Sequence, residues 1–123
     1  MQEYSDFKEF ISYKRRDRGI TSLQMSEILG ISPGYYCDIE KGRKAPPDRV
    51  ILETLIAALG LSDDDKVTCY DLAGKARSGV SPDLPDYIME HEYVRVALRV
   101  AKEKASAEDW QQFIDKLENR RED

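Results

Sequence analysis

The sequence has few of the residues from which metal centres, disulfide frameworks and catalytic pairs are built. Two cysteines, Cys37 and Cys69, are spread over 123 residues, and the single histidine is His91. Cysteines so few and so far apart fit neither a zinc site nor a disulfide framework, so we expect two reduced thiols, Cys37 facing outward and Cys69 half-buried. His91 has no partners at the spacing of a catalytic set, and no glycine-rich phosphate loop is present. We predict no enzyme, no bound metal and no cofactor.

Long hydrophobic runs are also missing. No apolar stretch approaches the roughly 18 residues that a membrane-spanning helix needs, and no signal-peptide pattern opens the chain. Charged residues make up 35% of the chain and hydrophobic residues 41%, a balance typical of a globular protein. We expect a cytoplasmic protein with no membrane partner.

Strand-like alternation and internal repeats are absent, and apolar residues recur instead at helical spacing. Ser5 is the expected cap of the first helix, and Gly74 is expected to close the fifth helix or to lie near its end. The segment 78–85 contains one glycine and two prolines, so it predicts a connector. We therefore predict a helical domain over 1–77 and a helical C-terminal extension over 78–123.

The stretch 22–41, SLQMSEILGISPGYYCDIEK, predicts two short helices joined by a tight turn. Thr21 is placed to cap the first helix and Gly30 to end it, while Ser32 caps the second with Pro33 at its first position. Small Ser26 lies where the helices would cross, and apolar residues fall at Met25, Leu29, Ile31, Tyr36 and Ile39. This set of positions is typical of a DNA-binding helix-turn-helix rather than of an ordinary helical hairpin.

The segment GISPGYYCDIEKGRKAPP, within this pattern, resembles the lambda-repressor/Cro-like (Xre-type) family of transcriptional regulators. The resemblance covers roughly residues 5–61, about half of the chain. It implies an all-α, lambda-repressor-like five-helix DNA-binding domain, here followed by a helical C-terminal extension. It also implies a sequence-specific regulator of transcription, a repressor that binds double-stranded DNA as a dimer.

The net charge of −5 is unusual for a DNA-binding protein. Residues 1–60 contain nine basic and nine acidic side chains, whereas residues 61–123 contain ten basic and fifteen acidic ones. The excess acid therefore lies entirely in the second half. DNA binding depends on a local basic face rather than on overall charge, so the imbalance does not exclude it.

The outward face of the second motif helix has an unusual composition. Bases are normally read by Arg, Lys, Gln or Asn, and none of these precedes Lys41 on this helix. Tyr35 and Cys37 are able to touch a thymine methyl group, and Asp38 to accept from a cytosine amino group. We predict weak or indirect readout. The outward residues are Ser32, Pro33, Gly34, Tyr35, Cys37, Asp38 and Lys41.

Phosphate contacts are easier to place. Thr21, Ser22 and Gln24 begin the first motif helix, where free backbone N–H groups bind phosphate. The resemblance implies the same location, although the family often has Gln at the position of Ser22. Lys41, Arg43 and Lys44 follow the second helix and are predicted to clamp the DNA backbone, with solvated surface charge as the alternative. The basic run 14–18 either complements a helix dipole or contacts phosphate.

The C-terminal extension carries more apolar surface than an exposed helix should. These residues either fold back onto the first half or meet a second chain: Val94, Leu98, Ala101, Trp110, Phe113, Ile114 and Leu117. One helix-turn-helix reads about half a site, so we favour a homodimer formed by the helices after Pro85. The alternative function is a protein-interaction module, such as an antitoxin or adaptor with a protein partner, because the reading helix is nearly neutral.

Overall fold

The computed structural model describes residues 4–120, and the eight elements within that range are all α-helices. The chain divides into two compact units, and the division falls between Pro85 and Asp86. No described helix is both long and apolar enough to cross a membrane. In chain order the helices are α1 (Phe7–Asp17), α2 (Ser22–Leu29), α3 (Pro33–Glu40), α4 (Arg49–Leu59), α5 (Asp63–Ala76), α6 (Pro85–Glu90), α7 (Glu92–Lys104) and α8 (Ala107–Asn119).

Each helix of the first unit begins at a polar cap that accepts a backbone N–H three residues on, which satisfies one of the donors left open at a helix start. The cap of α1 is Asp6 rather than Ser5, whose hydroxyl donates to the Glu9 carboxylate instead. The prediction of Ser5 was wrong because two adjacent polar residues compete for the same role. The other caps are Thr21 and Ser32, as predicted, together with Asp48 and Ser62.

The core of the first unit lies between all five of its helices. Helix α2 packs against α3 and α4, and α1 packs against α5 and α3. The core includes Phe10 and Ile11 from α1, Met25 from α2, Tyr36 from α3 and Leu52 from α4, each no more than 1% exposed. This packing holds α3 by two neighbours and leaves its remaining face open.

The turn between α2 and α3 depends on Gly30. This residue has a φ of 69°, in the left-handed region that favours glycine, and it ends α2. Ser26 is fully buried and its hydroxyl donates to the carbonyl of Leu23, so the small side chain and its polar group are both accommodated. The two motif helices therefore meet as the sequence predicted.

Gly74 lies near the end of helix α5, as expected, but it does not terminate the helix. The helix runs on to Ala76, and the backbone of residues 80–81 crosses directly over the glycine. A Cβ at this position would lie 2.9 Å from the Ser81 nitrogen. Ser81 also donates to the Asp71 carboxylate at 2.5 Å, and the Gly79 N–H donates to the Gly74 carbonyl at 2.8 Å. Glycine is needed here for a close backbone approach rather than for helix termination.

Cys69 lies deeper than predicted. Its side chain is 0% exposed within the core, and burial raises the pKa of its thiol to about 12. The half-buried assignment was wrong because helical spacing does not reveal how closely the facing helices approach.

The second unit consists of α6, α7 and α8, and no residue of these helices is buried. Arg95 donates to the carbonyls of Ile88 at 3.1 Å and Met89 at 2.5 Å, and so closes the end of α6. Ser106 caps α8 through a capping box with Asp109. This unit therefore has regular helices without an apolar core of its own.

Candidate nucleic-acid interface

Helix α3 presents one buried and one open face. Tyr36 and Ile39 face the core at 1% and 2% exposure, as predicted. The predicted outward residues are all at least partly accessible: Ser32, Pro33, Gly34 and Lys41 are exposed, and Tyr35, Cys37 and Asp38 are half-buried. The open face is therefore the one that carries almost no base-reading side chain.

A buried ion pair fixes α3 to α1. Arg15 donates through Nε to Glu40 Oε2 at 2.6 Å and through Nη2 to Glu40 Oε1 at 3.0 Å, and both side chains are only 10% exposed. Arg15 also donates through Nη1 to the carbonyl of Ile20 at 2.9 Å. Paired, bidentate geometry of this kind sets the orientation of one helix on another.

The ion pair shifts the pKa of both partners. Burial alone would raise the pKa of the Glu40 carboxyl, but the hydrogen bonds and charge of Arg15 outweigh it and hold that pKa below its usual value. The hydrogen bond to Glu40 raises the pKa of Arg15 in turn. Burial also raises the pKa of Tyr36, one turn earlier on α3, well above its usual value. All three groups therefore keep one protonation state at neutral pH.

The basic run at the end of α1 is mostly occupied in holding the fold together. Lys14 donates to Asp65 of α5 at 2.8 Å, and this hydrogen bond raises the pKa of the lysine. Arg15 pairs with Glu40, and Arg18 donates to the carbonyl of Leu59 at 2.9 Å. Only Arg16 remains exposed without a described partner. Neither alternative for this run anticipated these long-range pairs, which depend on residues far away in sequence.

Near the end of α3, Arg43 and Asp38 face each other. Arg43 Nη1 lies 3.4 Å from Asp38 Oδ1, with the arginine side chain 65% exposed. The N–H groups of Arg43 and Lys44 both donate to the Asp38 carbonyl. Asp38, which alone would repel phosphate, thus has a cation beside it, and the residues after α3 are tied to the helix end.

A cluster of four cations surrounds this point, and it includes one residue that the sequence analysis did not consider. Lys8 of α1 lies over Gly42, with its Nζ 3.3 Å from the position of a Cβ there. It lines a surface concavity of about 370 Å³ together with Arg43 and Lys44, and a second concavity together with Lys41. We call Lys8, Lys41, Arg43 and Lys44 the cation cluster.

One sequence signal could have identified Lys8. A lysine in the first turn of a helix faces the positive end of the helix dipole, which is unfavourable. Its presence in α1 at that position is therefore better explained by a role in the cluster than by local helix stability. Asp6, Glu9 and Glu40 also line these concavities, so the four cations lie among acidic side chains.

The start of α2 offers fewer donors than predicted. The Thr21 hydroxyl accepts from the Gln24 N–H at 3.0 Å, and the Gln24 side chain accepts from the Thr21 N–H at 2.8 Å. This capping box uses two of the N–H groups expected for phosphate, and those of Ser22 and Leu23 have no partner among residues 4–120. Gln24 lines a separate concavity with the acidic Glu27. The structure does not group it with the cation cluster.

The arrangement brings cations to one end of an exposed helix, where they are able to hold phosphates. No cluster of three or more metal-binding side chains occurs among the described residues. The open face of α3 offers the Tyr35 ring, the Cys37 thiol and the Ser32 hydroxyl, and the four cations lie around the C-terminal end of the same helix.

Comparison with known proteins agrees with this geometry. No curated protein and no solved structure shows significant similarity to the chain. Residues 11–66 match a family model described as Helix-turn-helix, of the Cro/C1 type. The match includes most of α1, all of α2, α3 and α4, and the start of α5. Together with the five-helix, lambda-repressor-like fold, it confirms the family resemblance. Residues 11–66 therefore form a Cro/C1-type, Xre-like helix-turn-helix domain, the kind found in DNA-binding regulators.

Proposed function

We propose that this protein is a sequence-specific transcriptional repressor that binds double-stranded DNA as a homodimer. The observation that carries the proposal is the exposed α3 beside the cation cluster, with the Arg15–Glu40 pair fixing the direction in which α3 points. In this arrangement α3 enters the major groove and the cluster contacts the sugar–phosphate backbone. Such a protein acts where the DNA is, in the cytoplasm of a bacterial-type cell.

Residues 1–77 supply the DNA-binding part of this proposal. Lys41, Arg43, Lys44 and Lys8 contact phosphates, and the N–H groups of Ser22 and Leu23 at the start of α2 add a second anchor. Ser32, Pro33, Gly34, Tyr35 and Cys37 approach the bases. The capping box occupies the backbone N–H groups of Thr21 and Gln24. These two residues therefore contact DNA only through side-chain groups that the capping box leaves available.

Base recognition in this proposal is largely indirect. Tyr35 and Cys37 offer apolar contact with a thymine methyl group, and Asp38 beside Arg43 is placed to accept from a cytosine amino group. Bidentate contact with guanine or adenine is available only from side chains at or beyond Lys41. Sequence preference would therefore depend strongly on groove width and DNA deformability.

Repression would follow from occupancy. Two copies related by a two-fold axis place their α3 helices about 34 Å apart, one turn of DNA, on a near-palindromic operator. Residues 78–123 would hold the two copies together, and the bound dimer would block the promoter.

The test is fluorescence anisotropy with the DNA upstream of the protein's own gene, titrated at several salt concentrations. Arg43→Ala with Lys44→Ala should weaken binding to all sequences and reduce the salt slope by about two units, one for each lost phosphate contact. Lys66→Ala with Lys75→Ala removes two charges from α5 and serves as the control. An Arg43/Lys44 variant that binds as tightly as the control would contradict the proposed clamp.

A second candidate, a protein-interaction module such as an antitoxin or adaptor, is favoured by one observation: the open face of α3 has only Lys41 among residues that normally read bases. Absence of any specific DNA complex at low salt, with a stoichiometric complex formed with a separately purified partner protein, would favour this candidate and overturn the repressor.

A further inference from the structure

Helices α7 and α8, which we call the tail pair, have amphipathic sequences, but within their own unit they bury none of their apolar side chains. No residue of either helix is buried, although Trp110 and Phe113 are among the largest apolar side chains in the protein. Helices of 13 residues are marginal in water without packing. The regular structure of the tail pair therefore requires a surface that the pair does not supply for itself.

The two helices of the tail pair do not pack along each other, and a groove lies between them. They are joined by Ala105 and Ser106 in extended conformation, and they make few close backbone approaches. The groove has a volume of about 550 Å³ and an apolar lining with Lys104 and Asp109 among its residues. The apolar lining residues are Ala97, Val100, Ala101, Ala105, Trp110 and Phe113.

The exposed apolar area suits a second protein surface. Seven large apolar residues of the tail pair are between 39% and 55% exposed. With side-chain areas of roughly 150–250 Å², they leave on the order of 600 Å² of apolar surface on one chain, at the upper limit for a stable monomer. Two copies would bury at most about 1,200 Å² from these residues, because Val96 and Leu98 lie on opposite sides of α7, and an area of this order is at the lower end of the range for specific interfaces. The residues are Val96, Leu98, Val100, Trp110, Phe113, Ile114 and Leu117.

The charges of the two helices are opposite. Helix α7 has four basic and two acidic residues, a net charge of +2. Helix α8 has one basic and four acidic residues, a net charge of −3. Contact of α7 with α7, or of α8 with α8, would bring like charges together, whereas contact of α7 with α8 is attractive.

We propose that the groove of the tail pair is occupied by the tail pair of a second copy, with α7 of each chain packed against α8 of the other. A two-fold axis makes two such contacts at once, and each buries an apolar stripe between helices of opposite charge. This inference specifies the interface of the homodimer in the proposed function. It rests on that function only in assuming a dimer, because the interface forms without DNA.

The test uses two charge-reversed variants of the full chain. The first, Arg99→Glu with Lys102→Glu, changes α7 from +2 to −2. The second, Asp115→Lys with Glu118→Lys, changes α8 from −3 to +1. Each variant alone would bring like charges together at both contacts. Sedimentation equilibrium should show a dimer dissociation constant raised about tenfold or more in each, because four charges are reversed across the two contacts at once.

An equimolar mixture of the two variants distinguishes contact of α7 with α8 from contact of α7 with α7 or of α8 with α8. In a mixed dimer, the reversed α7 meets the reversed α8 and the two unchanged helices meet each other, so the dissociation constant should return to within about threefold of the original. Lys75→Glu, a reversal on α5, is the control and should leave the dimer unchanged. Failure of the mixture to recover dimer, or dimers of normal strength from either variant alone, would overturn the proposal.

DNA binding distinguishes failure of this proposal from failure of the proposed function. A wild-type chain that is monomeric but binds a single half-site would overturn the exchanged dimer and leave DNA recognition by α3 intact. A dimer with the predicted mixing behaviour but no affinity for DNA would support the interface and overturn the repressor.

Discussion

Removing the Glu40 carboxylate should destabilise the first unit more than any surface substitution. In Glu40→Ala, Arg15 keeps its charge at about 10% exposure and loses the acceptors at 2.6 and 3.0 Å, with only the Ile20 carbonyl left. Breaking a buried ion pair from one side costs about 3–5 kcal/mol. Since both side chains retain some contact with water, we expect the lower end, about 3 kcal/mol.

Urea unfolding followed by circular dichroism at pH 7 measures this cost. With a denaturant dependence of roughly 1–2 kcal/mol per molar for a domain of this size, the midpoint should fall by about 1.5–3 M. The matched control is Arg15→Met with Glu40→Leu, which removes both charges and leaves none unpaired. It should cost much less than Glu40→Ala, because a buried pair is often replaceable by apolar side chains.

The pH dependence of the free energy of unfolding tests independently whether ionised Glu40 stabilises the fold. The pKa of Glu40 is lower in the folded protein than in the unfolded chain, so the folded state holds the ionised form more strongly. The stabilisation is therefore complete above the unfolded value of about 4.3 and is lost as the pH falls through the folded pKa. A cost under about 1 kcal/mol at pH 7, or a control as unstable as Glu40→Ala, would refute this reasoning.

Three further predictions concern other parts of the chain. Gly74→Ala should lower the free energy of unfolding by about 1–3 kcal/mol in thermal unfolding, because its Cβ would lie 2.9 Å from the Ser81 backbone nitrogen. The control is Gly34→Ala, whose Cβ would have nothing within 4 Å and which should be neutral or slightly stabilising. Equal effects of the two substitutions would contradict the close approach at Gly74. Lys8→Ala should lower the salt slope of DNA binding by about one unit without changing the melting temperature, and an unchanged slope would remove Lys8 from the interface. Trp110→Ala should shift the protein toward monomer in sedimentation velocity, and an undiminished dimer would count against the tail pair as the interface.

Much of the fold followed from local signals in the sequence. Thr21, Gly30, Ser32 and Gly60 mark helix ends through hydrogen bonds or backbone angles that involve only nearby residues, so their roles were predictable. Helical spacing also identified Tyr36 as a core residue of α3. The all-α class and the helix-turn-helix family were confirmed for the same reason: the motif is defined by residues within one short stretch.

The features that the sequence did not reveal depend on contacts made in the folded chain. Gly74 lies near the end of α5 as predicted, but the close approach of the Ser81 backbone to it was not predictable from the sequence. The position of Cys69 on its helix predicted a half-buried side chain, but in the fold this side chain is completely buried. The capping box of Thr21 and Gln24 was open to prediction from sequence, yet its consequence for phosphate binding depends on which N–H groups remain accessible.

The sequence by itself determined where the helices of this protein begin and end, which faces are apolar and which motif they form, because each of these depends on a side chain and its near neighbours. The tertiary structure alone decided which charges are available for DNA. Arg15 pairs with Glu40 across 25 residues and Lys14 with Asp65 across 51, so two cations of the basic run are withdrawn into the fold. Lys8, by contrast, is brought over Gly42 beside Arg43 and Lys44. Two charges form an ion pair only when they lie within a few ångströms of each other. The packing of the helices sets that distance, and the spacing of the residues along the chain does not.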